Sequence, residues 1–342
     1  DVVELDYASL YPTIMVVHNI SPETLLCSCC PDSIRRVPQL GYHICSRQKG
    51  LLPEVLEPIL RRRFCFKARA KNTKYDAAVN MELQKAWKWV LVVCFGYTGY
   101  RNARYGRIEC HESITAFSRD ILLTASEVAQ QAGYEVLHGI VDSLWVKGSP
   151  GCVRPFHLSR MIGQRTGIRM DVEGRYRWIV FLPNKSTGVG ALTRYYGVFE
   201  NGMVKVRGVE LRQHSTPVFL KNAQQGMLDV FKQARTAEEF RALIPESVEI
   251  LRRYAGALRD GTVPHDDLVC TTTVSRDVAT YTVNTLPKSA LLQLQDHGVP
   301  IRPGQSVRYV VTDENSRHYK RRVCLAETMQ GTEEIDDGYY LR

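Results

Sequence analysis

Two aspartates that lie far apart in the sequence could bind metal ions together. Asp6 follows the apolar run V-V-E-L, and Asp142 interrupts the run V-L-H-G-I-V-D-S-L-W-V. An ionised carboxylate between apolar strands is costly unless its charge is compensated, and a divalent cation is one of the few partners able to do so. Two such carboxylates can hold two Mg²⁺ ions for phosphoryl transfer. The alternative is that each aspartate only caps a turn.

A cysteine-rich segment near the start of the chain is a candidate site for a different metal. The run C-S-C-C is followed by Y-H-I-C, and this spacing makes Cys27, Cys30, His43 and Cys45 candidate ligands of a structural zinc ion. Cys29 makes the choice of ligands ambiguous, and neighbouring thiols need no metal. The sequence therefore leaves both zinc and free thiols open.

The strands that must position the aspartates can be predicted from the spacing of apolar residues. The run V-V-E-L-D-Y predicts a strand that ends near Asp6, and the apolar run around Asp142 places that aspartate on a second short strand. The segment 170–182 predicts a further strand, on which Asp171 and Glu173 alternate onto one face. Four carboxylates are therefore expected on strands.

The helices that should surround these strands are also visible in the pattern. Three segments are predicted to be helices: 53–70, 77–94 and 113–132. The first two form a helical hairpin, in which Arg63 and Lys67 share one face of the first helix and Lys88 projects from the second. After Gly208 the chain becomes more helical and more charged.

The overall composition limits the class of protein. The length of 342 residues suggests about two or three domains, and 45 Lys and Arg against 36 Asp and Glu give a net charge of +9, which favours a polyanionic partner such as nucleic acid. No run approaches the roughly 20 apolar residues of a membrane span, and the first residues do not resemble a signal peptide, so a cytoplasmic location is expected. The ten cysteines are then expected to be reduced thiols or metal ligands.

Four segments occur in the same order as motifs of the family-B DNA polymerases, and the chain resembles that family along essentially its whole length. D-Y-A-S-L-Y-P resembles the first catalytic motif, the helical hairpin with K-W-V-L-V-V-C-F-G-Y-T-G-Y resembles the fingers, and H-G-I-V-D-S corresponds to Y-G-D-T-D-S. P-N-K, with R-Y-Y-G and R-G-V-E-L-R after it, resembles the segment that grips the primer duplex. The resemblance implies an α+β right-hand polymerase core with an antiparallel-sheet palm, helical fingers and a mainly helical thumb.

The same resemblance divides the chain into four parts. Residues 1–50 would be the first part of the palm, with the cysteine-rich segment as an insertion, and 51–95 would be the fingers. Residues 96–206 would complete the palm, and 207–342 would belong to a thumb that need not be complete. The chain starts at the first polymerase motif and without Met, which suggests a piece of something longer.

The resemblance also implies a role for each acidic candidate. Asp6 and Asp142 would bind the two catalytic Mg²⁺ ions, with Asp171 and Glu173 as supporting acidic residues of the palm. Tyr11 would pack under the deoxyribose of the nucleotide, so that dNTPs are preferred over NTPs. Without the resemblance, Tyr11 would be interpreted as a core residue at a strand end.

Basic and aromatic candidates would bind the nucleotide. Arg63, Lys67 and Lys88 match the cationic fingers residues that neutralise the triphosphate, whereas a basic helix face is otherwise usually only solvated. Phe95 would back the nascent base pair. Three residues near the boundary of palm and thumb would contact the backbone of primer and template: Lys185, Arg194 and Tyr195.

Four positions depart from the family pattern. Ile140 and Val141 stand where the family has the first Asp and the Thr of D-T-D, so one acidic group is missing. Val92 and Val93 replace the usual Asn and Ser of the fingers helix. We therefore expect weakened activity and altered fidelity. This set of changes resembles the divergent second family-B paralogue of archaea.

The sequence as a whole predicts template-directed DNA synthesis, in which a primer 3′-hydroxyl is joined to a dNTP by two-metal nucleotidyl transfer. Proofreading is not expected in this chain. The expected partners are primer–template DNA, dNTPs, and exonuclease or N-terminal domains or another polymerase subunit, with no membrane. The alternative is a catalytically silent or weakly active polymerase-fold protein that binds DNA or scaffolds a replisome. A phosphoryl hydrolase is less favoured, because nothing resembles a base that activates water.

Overall fold

The computed structural model describes residues 2–184 and 186–342. The chain divides after Tyr176 into two compact parts, named here unit 1 and unit 2. Both parts combine α-helices with antiparallel β-strands, so the predicted α+β class is confirmed. Within the described residues, no helix has both the length and the apolar character needed to cross a membrane.

Unit 1 surrounds one antiparallel sheet with helices. Its elements in chain order are β1 (Val2–Tyr7), α1 (Leu10–Val17), α2 (Leu51–Arg69), α3 (Ala77–Thr98), α4 (Ile108–Gln131), β2 (Tyr134–Ile140), β3 (Ser143–Gly148), α5 (Pro155–Thr166) and β4 (Met170–Pro183). The last residues of β4 belong to unit 2. The predicted strands and helices are therefore present, and their ends differ from the predicted ends by a few residues.

The strand β1 is central to this sheet. It pairs with β3 on one side and with β4 on the other, and β2 pairs with β3, which gives the order β2-β3-β1-β4. The register places Asp6 opposite Ser143 on β3 and opposite Asp171 on β4. Leu5 and Tyr7 of β1 are buried in the apolar core of unit 1. A central strand with apolar anchors on both sides of Asp6 holds this carboxylate in a fixed position.

Asp142 lies in the turn of the hairpin and not on a strand, which corrects the expectation drawn from its apolar neighbours. Ile140 and Ser143 are the last paired residues of β2 and β3, so Val141 and Asp142 form the turn. Val141 has a φ of +53°, as tight hairpin turns require. The backbone N–H of Tyr7 donates a hydrogen bond to the carbonyl of Asp142 (2.8 Å), which fixes the turn beside the end of β1.

The helices α2 and α3 pack against each other as the predicted helical hairpin. Asp76 caps α3, because its side chain accepts a hydrogen bond from the N–H of Val79. The helix α3 continues through Gly96 to Thr98, beyond the predicted end at residue 94. A single glycine lowers helix propensity without ending a helix whose neighbours favour it.

The hairpin of α2 and α3 is anchored at one end. Its buried apolar residues lie early in α2 and late in α3: Pro53, Leu56, Leu60 and Leu91. At the opposite end, Tyr75, Val79 and Met81 are exposed. The packing energy of the hairpin is therefore concentrated far from the turn that joins the two helices.

Unit 2 contains helices and a second antiparallel sheet. Its further elements are β5 (Gly190–Phe199), β6 (Val204–Arg207), α6 (Val218–Phe231), α7 (Ala237–Ala242), α8 (Ile244–Arg259), β7 (Cys270–Thr273), α9 (Leu286–Asp296), β8 (Ser306–Val311), α10 (Tyr319–Arg322), β9 (Val323–Leu325) and α11 (Asp337–Tyr340). The strands β5 and β6 pair, and β7, β8 and β9 form a three-stranded sheet. The sequence did not predict this sheet, because its strands are too short to show an alternating pattern.

The left-handed backbone at Val141 predicts a stabilising substitution. A β-branched residue at positive φ is strained, and asparagine tolerates this conformation. We expect Val141→Asn to raise the free energy of unfolding by about 1 kcal/mol. Val172→Asn is the matched control, because Val172 is an exposed valine on β4 and loses only strand propensity. Chemical denaturation of both variants measures the difference. A Val141→Asn variant that is destabilised as much as the control would contradict the assignment of strain.

Candidate active site

A cleft of about 260 Å³ in unit 1 brings together most of the predicted catalytic and nucleotide-binding residues. The residues of the cleft that the sequence singled out are Asp6, Tyr11, Arg63, Lys88, Val92, Phe95, Val141 and Asp142. They come from β1, α1, α2, α3 and the hairpin turn. Carboxylates, cations and aromatic rings from segments more than a hundred residues apart in sequence therefore share one cavity.

The two aspartates meet where β1 runs beside the β2–β3 turn. The hydroxyl of Ser143 donates a hydrogen bond to Oδ1 of Asp6 (2.9 Å), which orients that carboxylate. The pKa of Asp6 is raised to about 7, first by burial and then by the negative charge of Asp142, while the hydrogen bond from Ser143 acts in the opposite direction. The two carboxylates thus repel each other, and this repulsion adds to the cost of burying Asp6. Carboxylate oxygens are the ligands that Mg²⁺ prefers, so these residues suit that ion.

A third carboxylate, Glu4, was not predicted to belong to this region. Glu4 is fully buried on β1, and the hydroxyl of Tyr176 donates a hydrogen bond to its Oε2 (2.7 Å). Its charge also raises the pKa of Asp6, as does that of Glu173. The alternation of strand residues could have drawn attention to Glu4, because it shares a face of β1 with Asp6.

Arg63 is the buried cation of the cleft. Only 8% of its surface is exposed, and within the described residues its Nε has no hydrogen-bond partner. Burial lowers the pKa of the guanidinium, and the charge of Asp6 acts in the opposite direction. Lys88 is exposed and also lines the cleft. A buried donor without a partner is costly, so Arg63 is poised for an anionic ligand.

Lys67 and the acidic residues of β4 lie apart from the lining of the cleft. Nζ of Lys67 donates a hydrogen bond to Oδ2 of Asp171 (3.3 Å), and Nε of Arg169 donates one to Oδ1 (2.8 Å). Burial alone would raise the pKa of Asp171, but these two cations outweigh it and hold the pKa below its usual value. Glu173 is exposed. Asp171 is therefore already compensated, in contrast to Asp6.

Three aromatic rings, named here the aromatic stack, contact one another in a row at one side of the cleft. The ring centroids of Tyr11 and Phe95 are 4.2 Å apart with the rings tilted by 40°, and those of Phe95 and His111 are 4.3 Å apart with the rings nearly parallel. His111, on α4, was not predicted from the sequence. A Cβ at Gly99 would approach Nδ1 of His111 to 2.9 Å, so a glycine is needed at the end of α3 for the stack to form.

The four positions that depart from the motif pattern differ in their location. Val92 and Val141 line the cleft, and Val92 is half exposed. Val93 is also exposed but does not line the cleft, and Ile140 ends β2 opposite Ser143. Two of the four positions, 92 and 141, thus place apolar side chains in the cavity itself.

The predicted DNA-binding residues belong to unit 2. Lys185 lies outside the described residues. Arg194 forms an ion pair with Glu210 (2.9 Å), and Tyr195 on β5 is buried, with its ring 5.6 Å from that of Phe181. Tyr195 therefore contributes to the packing of its own sheet.

The cysteine-rich segment brings together four sulfur atoms. The Sγ atoms of Cys27, Cys29, Cys30 and Cys45 lie within 4.8 Å of one another. Nε2 of His43, which the sequence suggested as a ligand, instead donates a hydrogen bond to the carbonyl of Cys27 (2.9 Å). The structure thus groups Cys29 with the other three thiols and leaves His43 outside the group.

Comparison with known proteins gives consistent matches. A model of the family described as DNA polymerase family B matches residues 1–146 and 158–342. The chain is 29% identical to DNA polymerase 2 of Aeropyrum pernix, over all of this chain and 41% of that protein. It is 34% identical to DNA polymerase 2 of Saccharolobus solfataricus, over 71% of this chain and 35% of that protein.

A solved structure agrees with these matches. The family B DNA polymerase from Pyrobaculum calidifontis superposes with a TM-score of 0.63 and 26% identity, over all of this chain and 43% of that chain. This likeness confirms the predicted fold class, and the two archaeal relatives confirm the predicted resemblance. The chain spans about two fifths of the length of these relatives.

The raised pKa of Asp6 predicts a pH-dependent effect on stability. The folded state binds this proton more tightly than the unfolded state, so the free energy of unfolding falls as the pH rises from the ordinary pKa of 3.8 through about 7. In the absence of divalent cations, Asp6→Asn should therefore stabilise the protein more near pH 8 than near pH 5, by about 2 kcal/mol. Urea denaturation at both pH values measures this.

Asp120→Asn is the control, because Asp120 is an exposed carboxylate on α4. It should change the stability little at either pH. An Asp6→Asn effect that is the same at both pH values would show that Asp6 is ionised at little cost in the folded protein.

Proposed function

Because the chain belongs to the family B DNA polymerases, we propose that it carries the catalytic core of a DNA-directed DNA polymerase. The reaction is the attack of a primer 3′-hydroxyl on the α-phosphate of a dNTP, with pyrophosphate as the leaving group. The observation that carries this proposal is the single cleft in which paired carboxylates lie with Arg63, Lys88 and an aromatic stack. In this proposal residues 1–50 and 96–206 form the palm, 51–95 the fingers and 207–342 a thumb.

Asp6 and Asp142 are the residues that would hold two Mg²⁺ ions. The raised pKa of Asp6 supports this role, because a carboxylate that is destabilised by burial and by a second carboxylate gains most from a bound cation. The chemistry that bound Mg²⁺ supplies is Lewis acidity, which favours the attacking oxygen and stabilises the leaving pyrophosphate. Ser143 keeps Asp6 in a fixed rotamer, which limits the reorganisation needed for ligation. Asp171 and Glu173 would support the site from β4.

The cationic side of the cleft would bind the triphosphate. Arg63 supplies a guanidinium whose Nε is unsatisfied within the described residues, and Lys88 supplies a mobile point charge from α3. Both can stabilise negative charge on the phosphates during transfer. Lys67 would have to leave Asp171 before it could reach a phosphate.

The aromatic stack would position the sugar and the base. Tyr11 lines the cleft and packs against Phe95, so its ring has little freedom to move. The ring would therefore clash with the ribose 2′-hydroxyl of an NTP, and dNTPs would be preferred. His111 supports Phe95 from behind, which keeps the ring available to back a base pair. Lys185 and Arg194 are proposed to contact the backbone of primer and template, with Arg194 exchanging its partner Glu210 for a phosphate. The contact predicted for Tyr195 is not retained, because its side chain is buried and would support β5 from within.

A second candidate function is a catalytically silent or weakly active DNA-binding or replisome-scaffolding protein. The observation that favours it is the apolar lining contributed by Val92 and Val141, where the family pattern has polar residues. The paired aspartates and the buried Arg63 weigh against it, because a scaffold needs neither.

The metal role of Asp142 predicts loss of synthesis on substitution. We expect Asp142→Asn to lower primer extension by about 10³-fold or more while sparing DNA affinity, because transition-state stabilisation by the metal ions is worth several kcal/mol. Extension of a short primer on a template with Mg²⁺ and four dNTPs measures this, and a DNA-binding assay runs in parallel. Glu135→Gln is the control, since Glu135 is an exposed carboxylate on the same hairpin.

Two results would count against the proposal. Retained synthesis in Asp142→Asn would refute the assignment of Asp142 as a metal ligand. An unsubstituted chain that binds DNA but does not extend a primer, even with its other domains added, would make the silent scaffold the better explanation.

The unsatisfied Arg63 predicts nucleotide-dependent stabilisation. With Mg²⁺ and a dNTP at about 100 times its dissociation constant, the folded protein should gain about 2.7 kcal/mol. Arg63→Met should lose this gain, whereas Arg62→Met should keep it, because Arg62 is exposed on the same helix and lies near Trp87. Thermal denaturation with Mg²⁺ alone and with Mg²⁺ plus dNTP measures the difference. Equal stabilisation of both variants would remove Arg63 from the binding site.

A further inference from the structure

The four sulfur atoms of the cysteine-rich segment lie close together, at similar distances from one another, as the corners of a small tetrahedron do. The Sγ of Cys29 lies 3.5 Å from that of Cys27, 3.6 Å from that of Cys30 and 3.5 Å from that of Cys45. The sulfurs of Cys30 and Cys27 are 3.1 Å apart, and those of Cys30 and Cys45 are 3.5 Å apart. A tetrahedral zinc ion with Zn–S bonds of about 2.3 Å has sulfurs about 3.8 Å apart.

We propose that Cys27, Cys29, Cys30 and Cys45 bind one zinc ion as a four-thiolate structural site. Four sulfur ligands select a thiophilic ion such as Zn²⁺ over Mg²⁺. His43 is not a ligand in this site. Its hydrogen bond to the carbonyl of Cys27 instead holds the backbone of the first ligand in place.

The surroundings of the thiols suit such a site. Cys27, Cys30 and Cys45 are buried and Cys29 is partly exposed, so a metal ion can enter past Cys29 and is then shielded from water. The segment 31–50 contains Arg35, Arg36, Arg47 and Lys49 but only one acidic residue, Asp32. This excess of positive charge favours a metal centre whose four thiolates outweigh the charge of the zinc ion.

The segment 18–50 is attached to the core of unit 1 by buried apolar side chains such as Leu25 and Ile44, but it has little regular secondary structure. It contains no helix or extended strand, and its backbone pairing is limited to isolated bridges between Leu25 and Ile44 and between Arg36 and His43. A metal ion would link residues 27–30 to residue 45 across this segment. Because a metal site rarely forms in the unfolded chain, binding energy then becomes folding energy.

The site is coupled to the first residues of α2 through one asparagine. Nδ2 of Asn19 donates a hydrogen bond to the carbonyl of Cys45 (3.3 Å), and Oδ1 of Asn19 accepts one from the N–H of Gly50 (2.8 Å), which precedes α2. The N–H of Cys45 also donates to the carbonyl of Thr24 (2.7 Å). The zinc ion would thus fix the start of the helix that carries Arg63. This role does not depend on the proposed polymerase reaction.

The first test counts metal ions and ligands in the unsubstituted protein. The chain is purified under reducing conditions without chelator, its zinc content is measured by mass spectrometry, and the zinc environment by X-ray absorption. We expect about one zinc ion per chain with four sulfur neighbours at about 2.3 Å. Three sulfurs and one nitrogen would overturn the proposal in favour of a site that includes His43. A metal-free chain that takes up no added zinc would overturn it altogether.

The second test uses matched variants and cobalt as a spectroscopic probe. Cys29→Ser should weaken zinc binding by more than the roughly 10–100-fold that is lost when a group hydrogen-bonded to a metal ligand is removed. It should also weaken the sulfur-to-cobalt absorption band. His43→Gln should keep the metal content and the shape of the spectrum. Cys65→Ser is the control, because Cys65 is an exposed cysteine on α2.

Titration of thiols in the denatured protein distinguishes metal binding from oxidation. The sulfurs are free in the structure and are farther apart than a disulfide bond of about 2.05 Å allows. We expect all ten cysteines to react after zinc is removed under anaerobic conditions. A loss of two reactive thiols within this segment in freshly purified protein would identify a disulfide and overturn the proposal.

Discussion

The placement of two carboxylates within one partly buried cleft is the constraint on which the rest of unit 1 depends. Burial and mutual repulsion make this arrangement unfavourable, as the raised pKa of Asp6 records. The surrounding structure opposes that cost without removing it. The core anchors β1, Ser143 orients Asp6, and the hydrogen bond from Tyr7 fixes the turn that carries Asp142. The cleft thereby keeps two mutually repelling carboxylates close together, and a bound cation would relieve that repulsion.

Much of the site could be predicted because residues of unusual type stand out in apolar runs. Asp6 and Asp142 were recognisable for that reason, and the motif order supplied Tyr11, Arg63, Lys88 and Phe95, which the structure gathers in one cavity. The pattern was less informative about Asp142 itself. Val141 is apolar and extends the apparent strand across the turn, although its backbone is left-handed. The spacing of apolar residues predicts which side chains are buried, and it does not reveal a tight turn that contains an apolar residue.

Other features depend on contacts between distant segments, which no local pattern encodes. His111 joins the aromatic stack only because α3 and α4 meet at Gly99, and Glu4 is stabilised by Tyr176 from the far end of unit 1. The choice between Cys29 and His43 follows from the path of a segment with few regular hydrogen bonds. The short strands of the sheet in unit 2 are likewise specified by their pairing more than by their own sequence.

The uneven anchoring of the α2–α3 hairpin has a mechanical consequence. Because its buried apolar residues lie at one end and the joining turn is exposed, the hairpin resembles a rod that is clamped at one end and free at the other. A force at the free end produces a large displacement there and a small rotation near the clamp. Arg63 and Phe95 both lie near that clamp, on opposite arms. A large movement of the exposed tip would therefore cause only a small movement of the Arg63 guanidinium and the Phe95 ring beside the two aspartates.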